Sequence, residues 1–266
     1  MQDNAPLQPR RFTSAAAHYR GGRPPYAPAL IRQVAHATGL QPQHRVLDLG
    51  CGPGPLAIGF GYFAGEVLGL DPEPAMLEAA VEAARGLVPN VSFRRGSSHD
   101  LSPELGRFQL ATMGRSFHWM DREDTLRRLD SLLDPGAAIA LFRDTHPDLP
   151  GNAWRTTWRE ILDKYDSDDT LRNRRRAGHW ARHEAVLIAS PFCVLETHAV
   201  IERRTITTES LVDRALSMSS TSQDRIGEKL NDLVDELRAF LSALAPGGYV
   251  GEIVESAALV ARRLGE

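Results

Sequence analysis

Seven residues, Asp48-Leu49-Gly50-Cys51-Gly52-Pro53-Gly54, carry the strongest chemical signal in the chain. Glycines lack a Cβ, so the backbone there can turn sharply and approach a ligand, and the helix that follows opens with unpaired N–H groups. The spacing is Gly-x-Gly-x-Gly, with an acid two residues before the first glycine. A dinucleotide fingerprint needs Gly-x-Gly-x-x-Gly, and counting from Gly50 and Gly52 puts Pro55 at its third glycine. No Gly-Lys-Ser/Thr follows, which excludes a phosphate loop. Other residues able to do chemistry are Asp71, the run Arg115-Ser-Phe-His-Trp119, and Asp144 with His146. His118 is the candidate general base, since imidazole exchanges its proton near neutral pH; its alternative role is packing with Trp119. His179 and His183 stand four apart, as on one helix face, but no third ligand is evident and no metal is expected. Arg172–Arg176 and the acidic stretch 166–169 read as solvated faces and caps, or else as contacts for a charged substrate.

The elements around these residues follow from hydrophobic period. Arg45–Leu49 is a short apolar strand that runs into the glycines, and a helix follows through Leu56, Ala57, Ile58 and Phe60. Glu66–Leu70, Val91–Arg95, Phe108–Met113 and Ala137–Phe142 read as further strands. Between them lie a helix begun at Pro74 and closed by Gly86, and one from Asp121, placed to N-cap it, to Leu133. Another helix spans residues 28–38 and stops at Gly39. Strand–helix alternation at this spacing argues for βαβ units and a parallel sheet. In such a sheet ligands sit outside the carboxyl ends of the strands, where Arg115, Ser116, His118, Trp119, Asp144 and His146 would gather. The alternation breaks after Pro147. Residues 150–190 look mostly helical, residues 192–203 alternate like an edge strand, and helices fill about 208–244 before a last strand from Tyr249.

The glycine run, its acid and the landmarks after it resemble the class I S-adenosylmethionine (SAM)-dependent methyltransferases, over most of residues 12–143. The resemblance implies an α/β, Rossmann-like, seven-stranded and mostly parallel sheet with a helical cap from the later half. It implies SAM as cofactor, with S-adenosylhomocysteine as product. Asp48 would orient the loop or meet the ammonium end of SAM, and Gly50, Gly52 and Gly54 would allow close backbone approach. Asp71 would hold the ribose hydroxyls, Met76 would pack on the adenine or simply fill the core, and Asp100 would accept from the adenine amino group or form a turn. His99 stands in that same turn, Gly96–Leu101, where the family commonly has an acid. Gly114–Asp121 resembles a subgroup acting on small molecules, and so do Phe12–Arg20 and Arg23-Pro-Pro-Tyr26, that subgroup's N-terminal lid. Tyr19 of that lid and Arg115 join the cofactor-binding set, and Ser116, Trp119, Asp144 and His146 the substrate set, with His118 catalytic. The subgroup implies natural-product tailoring in antibiotic biosynthesis, with gentamicin-type aminoglycoside N-methylation as the sharpest expectation. Asp144, His146 and residues 166–169 would then meet the ammonium groups of an amino sugar. A pocket built from Trp119, Trp154, Trp158 and Trp180 would instead favour O-methylation of a natural product, and a catalytically silent SAM-binding module is the third reading.

Composition bounds these readings. Among 266 residues, 42% are hydrophobic and 24% charged, as in ordinary globular chains. Two cysteines cannot make a disulfide scaffold, and no apolar run approaches the roughly 18 residues of a membrane span. Thirty-one basic against 34 acidic side chains give a net charge of −3, which supplies no field for nucleic acid. The expectation is a cytoplasmic enzyme whose partner is a small-molecule substrate, with neither membrane nor nucleic acid; a homodimer is open. Its expected organisation is an N-terminal lid and helix at 1–40, a SAM-binding core at 41–146, a cap insertion at 147–191, and the remaining core strands with inserted helices at 192–266.

Overall fold

The computed structural model describes residues 18–19, 21–166, 180–218 and 220–265. Seven strands form one sheet in the order β3-β2-β1-β4-β5-β7-β6. They are β1 (Arg45–Leu49), β2 (Glu66–Asp71), β3 (Val91–Arg95), β4 (Phe108–Gly114), β5 (Leu133–Thr145), β6 (Val194–Thr207) and β7 (Tyr249–Arg262). The first five run parallel, and β7 lies antiparallel between β5 and β6. This is the seven-stranded, mostly parallel, Rossmann-like sheet that the sequence leads one to expect.

Alternation along the strands sends neighbouring side chains to opposite faces, and both faces are covered. Val46, Leu110 and Ala140 pack with Leu30, Ile31 and Val34 of α1 (Pro28–Ala37) and Leu56 and Phe60 of α2 (Pro55–Phe60). Leu47, Ala111 and Ile139 face Leu126 and Leu129 of α4 (Arg122–Leu132) and Leu187 of α6 (His183–Ile188). Asp121 N-caps α4, its carboxylate accepting from the Asp124 N–H. The remaining sheet helix, α3 (Pro74–Ala84), buries Met76, Ala80 and Ala84.

The cap differs from a single insertion. Strands β6 and β7 stay paired for six rungs beyond the end of β5, from Glu202↔Val254 to Thr207↔Tyr249. At about 3.4 Å per residue this overhang carries the chain ~20 Å past the sheet's carboxyl edge. There α7 (Thr208–Leu216), α8 (Gln223–Ile226) and α9 (Leu230–Leu244) meet α5 (Arg155–Tyr165) around a core of its own, including Trp158, Leu162, Leu211, Leu233 and Leu237. The cap therefore draws on two stretches, near 154–165 and 206–250. Helix α6, inside the expected insertion 147–191, packs instead on the sheet, because Leu187 and Phe192 are buried against it. No described helix is long and apolar enough to cross a membrane.

Candidate active site

The glycine loop is braced from below. Asp48, 1% exposed at the end of β1, accepts the Ala57 N–H at 3.0 Å and the Thr112 hydroxyl at 2.9 Å. Burial pushes its carboxyl up to about 7, against the pull of those two hydrogen bonds. Both oxygens are used in tying β1 to α2 and β4, so Asp48 sits as a loop-orienting residue. Gly50, Gly52 and Gly54 all have left-handed φ, at 67°, 54° and 80°. Their surroundings separate their roles. A Cβ at Gly50 would lie 2.6 Å from Ser116 Cβ, and one at Gly54 2.9 Å from the Phe93 ring. At Gly52 it would meet nothing within 4 Å, so this is where the loop offers bare backbone to a ligand. Asp71 lies beside that opening, accepting the Gly52 and Glu73 N–H groups at 2.9 Å each. Burial raises its pKa against the effect of both bonds.

The adenine-side expectations divide. Met76 is buried, 3% exposed, in the first turn of α3. Asp100 is exposed and closes a capping box on a 3-10 turn, its Oδ2 accepting the Ser97 N–H at 2.7 Å and the Ser97 hydroxyl at 2.8 Å. Those bonds hold its carboxyl below the ordinary range. His99 turns its ring toward Asp124, 4.0 Å away. In this turn Asp100 is engaged as a turn former, and His99 faces α4.

Beyond β4 the backbone is strained. Arg115 has φ 58°, the one positive value outside glycine among the described residues. Its guanidinium pairs with Asp144 at 2.7 Å and lies over the rings of Tyr26 (5.1 Å) and Tyr19 (5.9 Å). Burial alone would raise the Asp144 pKa, but Arg115, then Arg23 and His146, hold it below the ordinary value. Ser116 donates to the Leu49 carbonyl at 2.8 Å, fastening the β4 end over the glycine loop. His118 packs with Trp119, centroids 4.8 Å apart, and stacks with His183 at 6.5 Å. His146 bonds Glu252 at 3.1 Å, and its pKa is lowered by burial despite that carboxylate. Thus Arg115 and Asp144 meet, whereas His118 groups with Trp119 and His183.

Three residues of this region, Arg214, Glu252 and Arg155, were not singled out from the sequence, and Arg23 and Tyr26 were named only as part of the Arg23-Pro-Pro-Tyr26 motif. Arg214 of α7 forks onto Glu252 of β7 at 2.7 and 3.0 Å, both buried, and donates to the Gly22 carbonyl. Arg23 donates to Ser217, and Tyr26 packs on Phe142. Arg155 opens α5 beneath Trp154 and Trp158. A legible signal existed for two of them: Arg155 and Arg214 are cations at apolar-face positions of amphipathic helices, beside Trp158 and Ile161 or Leu211 and Ala215. The N-terminal segment also meets the cap closely, since a Cβ at Gly22 would lie 2.3 Å from the Arg214 backbone nitrogen and His18 pairs with Asp213 at 2.7 Å. The four tryptophans do not form one pocket. Trp180 lies against Arg122 at 4.2 Å, Trp154 bonds the Gly251 carbonyl, and Trp158 is in the cap core. Residues 12–17, Arg20, 167–176 and His179 fall outside the described residues, and among those described no three side chains gather as metal ligands.

Residues 46–136, which hold the glycine loop, Asp71 and Arg115, match a family described as a methyltransferase domain. These residues form a SAM-dependent methyltransferase domain. An uncharacterized methyltransferase of Mycobacterium tuberculosis is 27% identical over 236 residues, 88% of each chain. The trans-aconitate 2-methyltransferase of Methylobacterium radiotolerans is 34% identical over 105 residues, 38% of each chain. Among solved structures, a putative type II methyltransferase from Anaeromyxobacter dehalogenans superposes with TM-score 0.62 at 20% identity, over 91% of this methyltransferase and 97% of that chain, a likeness of fold. The residues present fit SAM: open space lies over the bare backbone of Gly52, and the Asp71 carboxylate is hydrogen-bonded to that same residue.

Proposed function

We propose that this methyltransferase acts on a small polar molecule held between the carboxyl ends of the strands and the cap. The observation that carries the reading is the joining of the two: the SAM-side loop, the strained Arg115 with Asp144, and the Arg214–Glu252 pair form one wall running from sheet to cap. SAM bound there supplies a methyl group on a cationic sulfonium. Asp71 would hold the ribose hydroxyls, and Gly52 would let the ligand approach the loop. Arg115 would meet the carboxylate of the amino-acid end, with Tyr19 beside it. Methyl transfer is an in-line displacement, so the main task of the chain is alignment, which can supply roughly 7–11 kcal/mol. His118, Ser116 and Trp119 follow the β4 end, where His118 would take the proton of a hydroxyl on the acceptor.

Oxygen is the acceptor atom that the charges favour. An amino sugar needs free carboxylates, but Asp144 is spent on Arg115 and Glu252 on Arg214, while His146 is spent on Glu252. Residues 167–169 are outside the described set. Among the described residues, Asp144 and His146 are therefore engaged within the protein and not free to meet the ammonium groups of an aminoglycoside. The relative named for trans-aconitate points the same way. Calorimetry with SAM and S-adenosylhomocysteine tests the cofactor site, and mass spectrometry of products from acceptor panels tests the atom. Folded protein that binds neither cofactor form at high micromolar concentration would sink the reading. Cofactor binding without turnover on any acceptor would favour the silent module.

A further inference from the structure

We propose that Arg155 anchors a carboxylate of the acceptor, in a site built by the first turn of α5 where the cap faces the sheet. This rests on the reading of the chain as a small-molecule methyltransferase and names the class of its acceptor.

Arg155 is 8% exposed, and its Nε and Nη1 are buried with no hydrogen-bond partner. One turn later Trp158, 1% exposed, has an indole Nε1–H in the same condition. The guanidinium lies 5.6 Å from the Trp158 ring and 5.5 Å from that of Trp154. Buried donors are nearly always paired in native proteins, and a buried cation is costly without an acceptor, so three unpartnered donors on one helix turn point to an acceptor group that they would bind. Arginine does not escape by losing its proton. Burial, then Arg214 and Arg159, lowers its pKa only to about 10, still charged at neutral pH.

The neighbours do not fill that need. Glu252 and Asp144, the carboxylates that act on Arg155, already serve Arg214 and Arg115. Arg23, Arg115, Arg155 and Arg214 thus face two acids, Asp144 and Glu252. SAM, with a sulfonium, an ammonium and one carboxylate, adds further positive charge. The missing member is an anion brought by the acceptor. Helix α5 also offers its N-terminus there, with no side-chain cap and no acid in its first turn. A planar carboxylate suits a guanidinium, and its two oxygens can use the three free donors, whereas a phosphate would leave oxygens without donors in a wall of indole rings.

Titration calorimetry on the intact chain saturated with S-adenosylhomocysteine tests this, with succinate, citrate, inorganic phosphate and putrescine as probes at fixed ionic strength. A carboxylate should bind wild type, and Arg155→Met should weaken it by about ten- to a hundredfold, the value of a charged hydrogen bond. Arg155→Lys should recover part of that loss, with S-adenosylhomocysteine affinity unchanged within about twofold in both variants. Without probes, Arg155→Met should unfold at the same or a higher urea concentration than wild type, because it removes a buried charge that has no partner. The proposal is overturned if putrescine or phosphate binds in preference to both carboxylates, if no probe binds, or if Arg155→Met leaves carboxylate affinity unchanged. It is also overturned if that variant loses S-adenosylhomocysteine or unfolds earlier, which would give Arg155 a cofactor or structural role. Failure of wild type to bind S-adenosylhomocysteine would instead strike the methyltransferase reading.

Discussion

Removing the carboxylate of Glu252 should loosen the cap from the sheet. Glu252 lies on the β7 overhang, Arg214 on cap helix α7, and their side chains are 0% and 6% exposed. The fork of 2.7 and 3.0 Å is joined by His146, whose Nε2–H donates to the same carboxylate at 3.1 Å. Glu252→Gln preserves shape and one acceptor but leaves the Arg214 charge unmatched in a dry site. Breaking a buried pair from one side costs about 3–5 kcal/mol, and the retained amide oxygen puts this variant near ~3 kcal/mol. The ionisation of Glu252 supports that size. Burial works to raise its pKa, but His146 and Arg214 hold it down to about 2. Against an unfolded value near ~4.3, that difference corresponds to ~3 kcal/mol. Because the folded value is the lower one, the stabilisation is present above the unfolded value and lost as pH falls through 2. Urea unfolding at pH 7.5 should therefore show the full loss, and the gap between wild type and variant should shrink from pH 5 downward. Glu252→Met combined with Arg214→Met should recover most of it, as an apolar pair of similar volume avoids the desolvation cost. A Glu252→Gln variant within ~1 kcal/mol of wild type at pH 7.5 would refute the claim that this pair is dry and holds the cap.

Other outcomes follow from the loop. Gly52→Ala should cost only the left-handed penalty of ~1–2 kcal/mol, since its Cβ meets nothing, yet weaken S-adenosylhomocysteine by more than about tenfold; Gly54→Ala should be less stable, because it also strikes Phe93. Thermal melts and calorimetry on both variants check the split. Asp71→Ala should weaken cofactor binding, whereas His118→Ala should lower kcat more than cofactor affinity; equal loss of affinity in both contradicts the roles assigned to them. Asp48, pushed up to about 7 by burial, stabilises the fold below its unfolded value near ~3.9 and loses that as pH rises through 7. Asp48→Asn should flatten the decline of urea stability between pH 4 and 7, a decline of at most ~4 kcal/mol, and an unchanged slope would show that Asp48 ionises freely.

Local order determined much of this protein. Apolar strands at regular spacing, Pro55 and Pro74 at helix starts, Asp121 as a cap and glycines at left-handed turns are properties of a few adjacent residues, so the sheet and the glycine loop were legible in the sequence. So was the nearness of Asp71 to that loop, because parallel neighbouring strands end at one edge. Which glycine faces open space was not, since Phe93 of β3 and Ser116 just past β4, which fill the room beside Gly54 and Gly50, come from segments far along the chain. The charge of the substrate side was decided only in three dimensions. Asp144 reads as a free acid until β5 sets it beside Arg115, and His146 as a loop histidine until the β7 overhang brings Glu252. Arg155 and Arg214 stand about 60 residues apart, in two segments that become one cap only when their apolar faces close over a common core. Ion pairing depends on distance through space and on exclusion of water, and neither quantity is written along the chain.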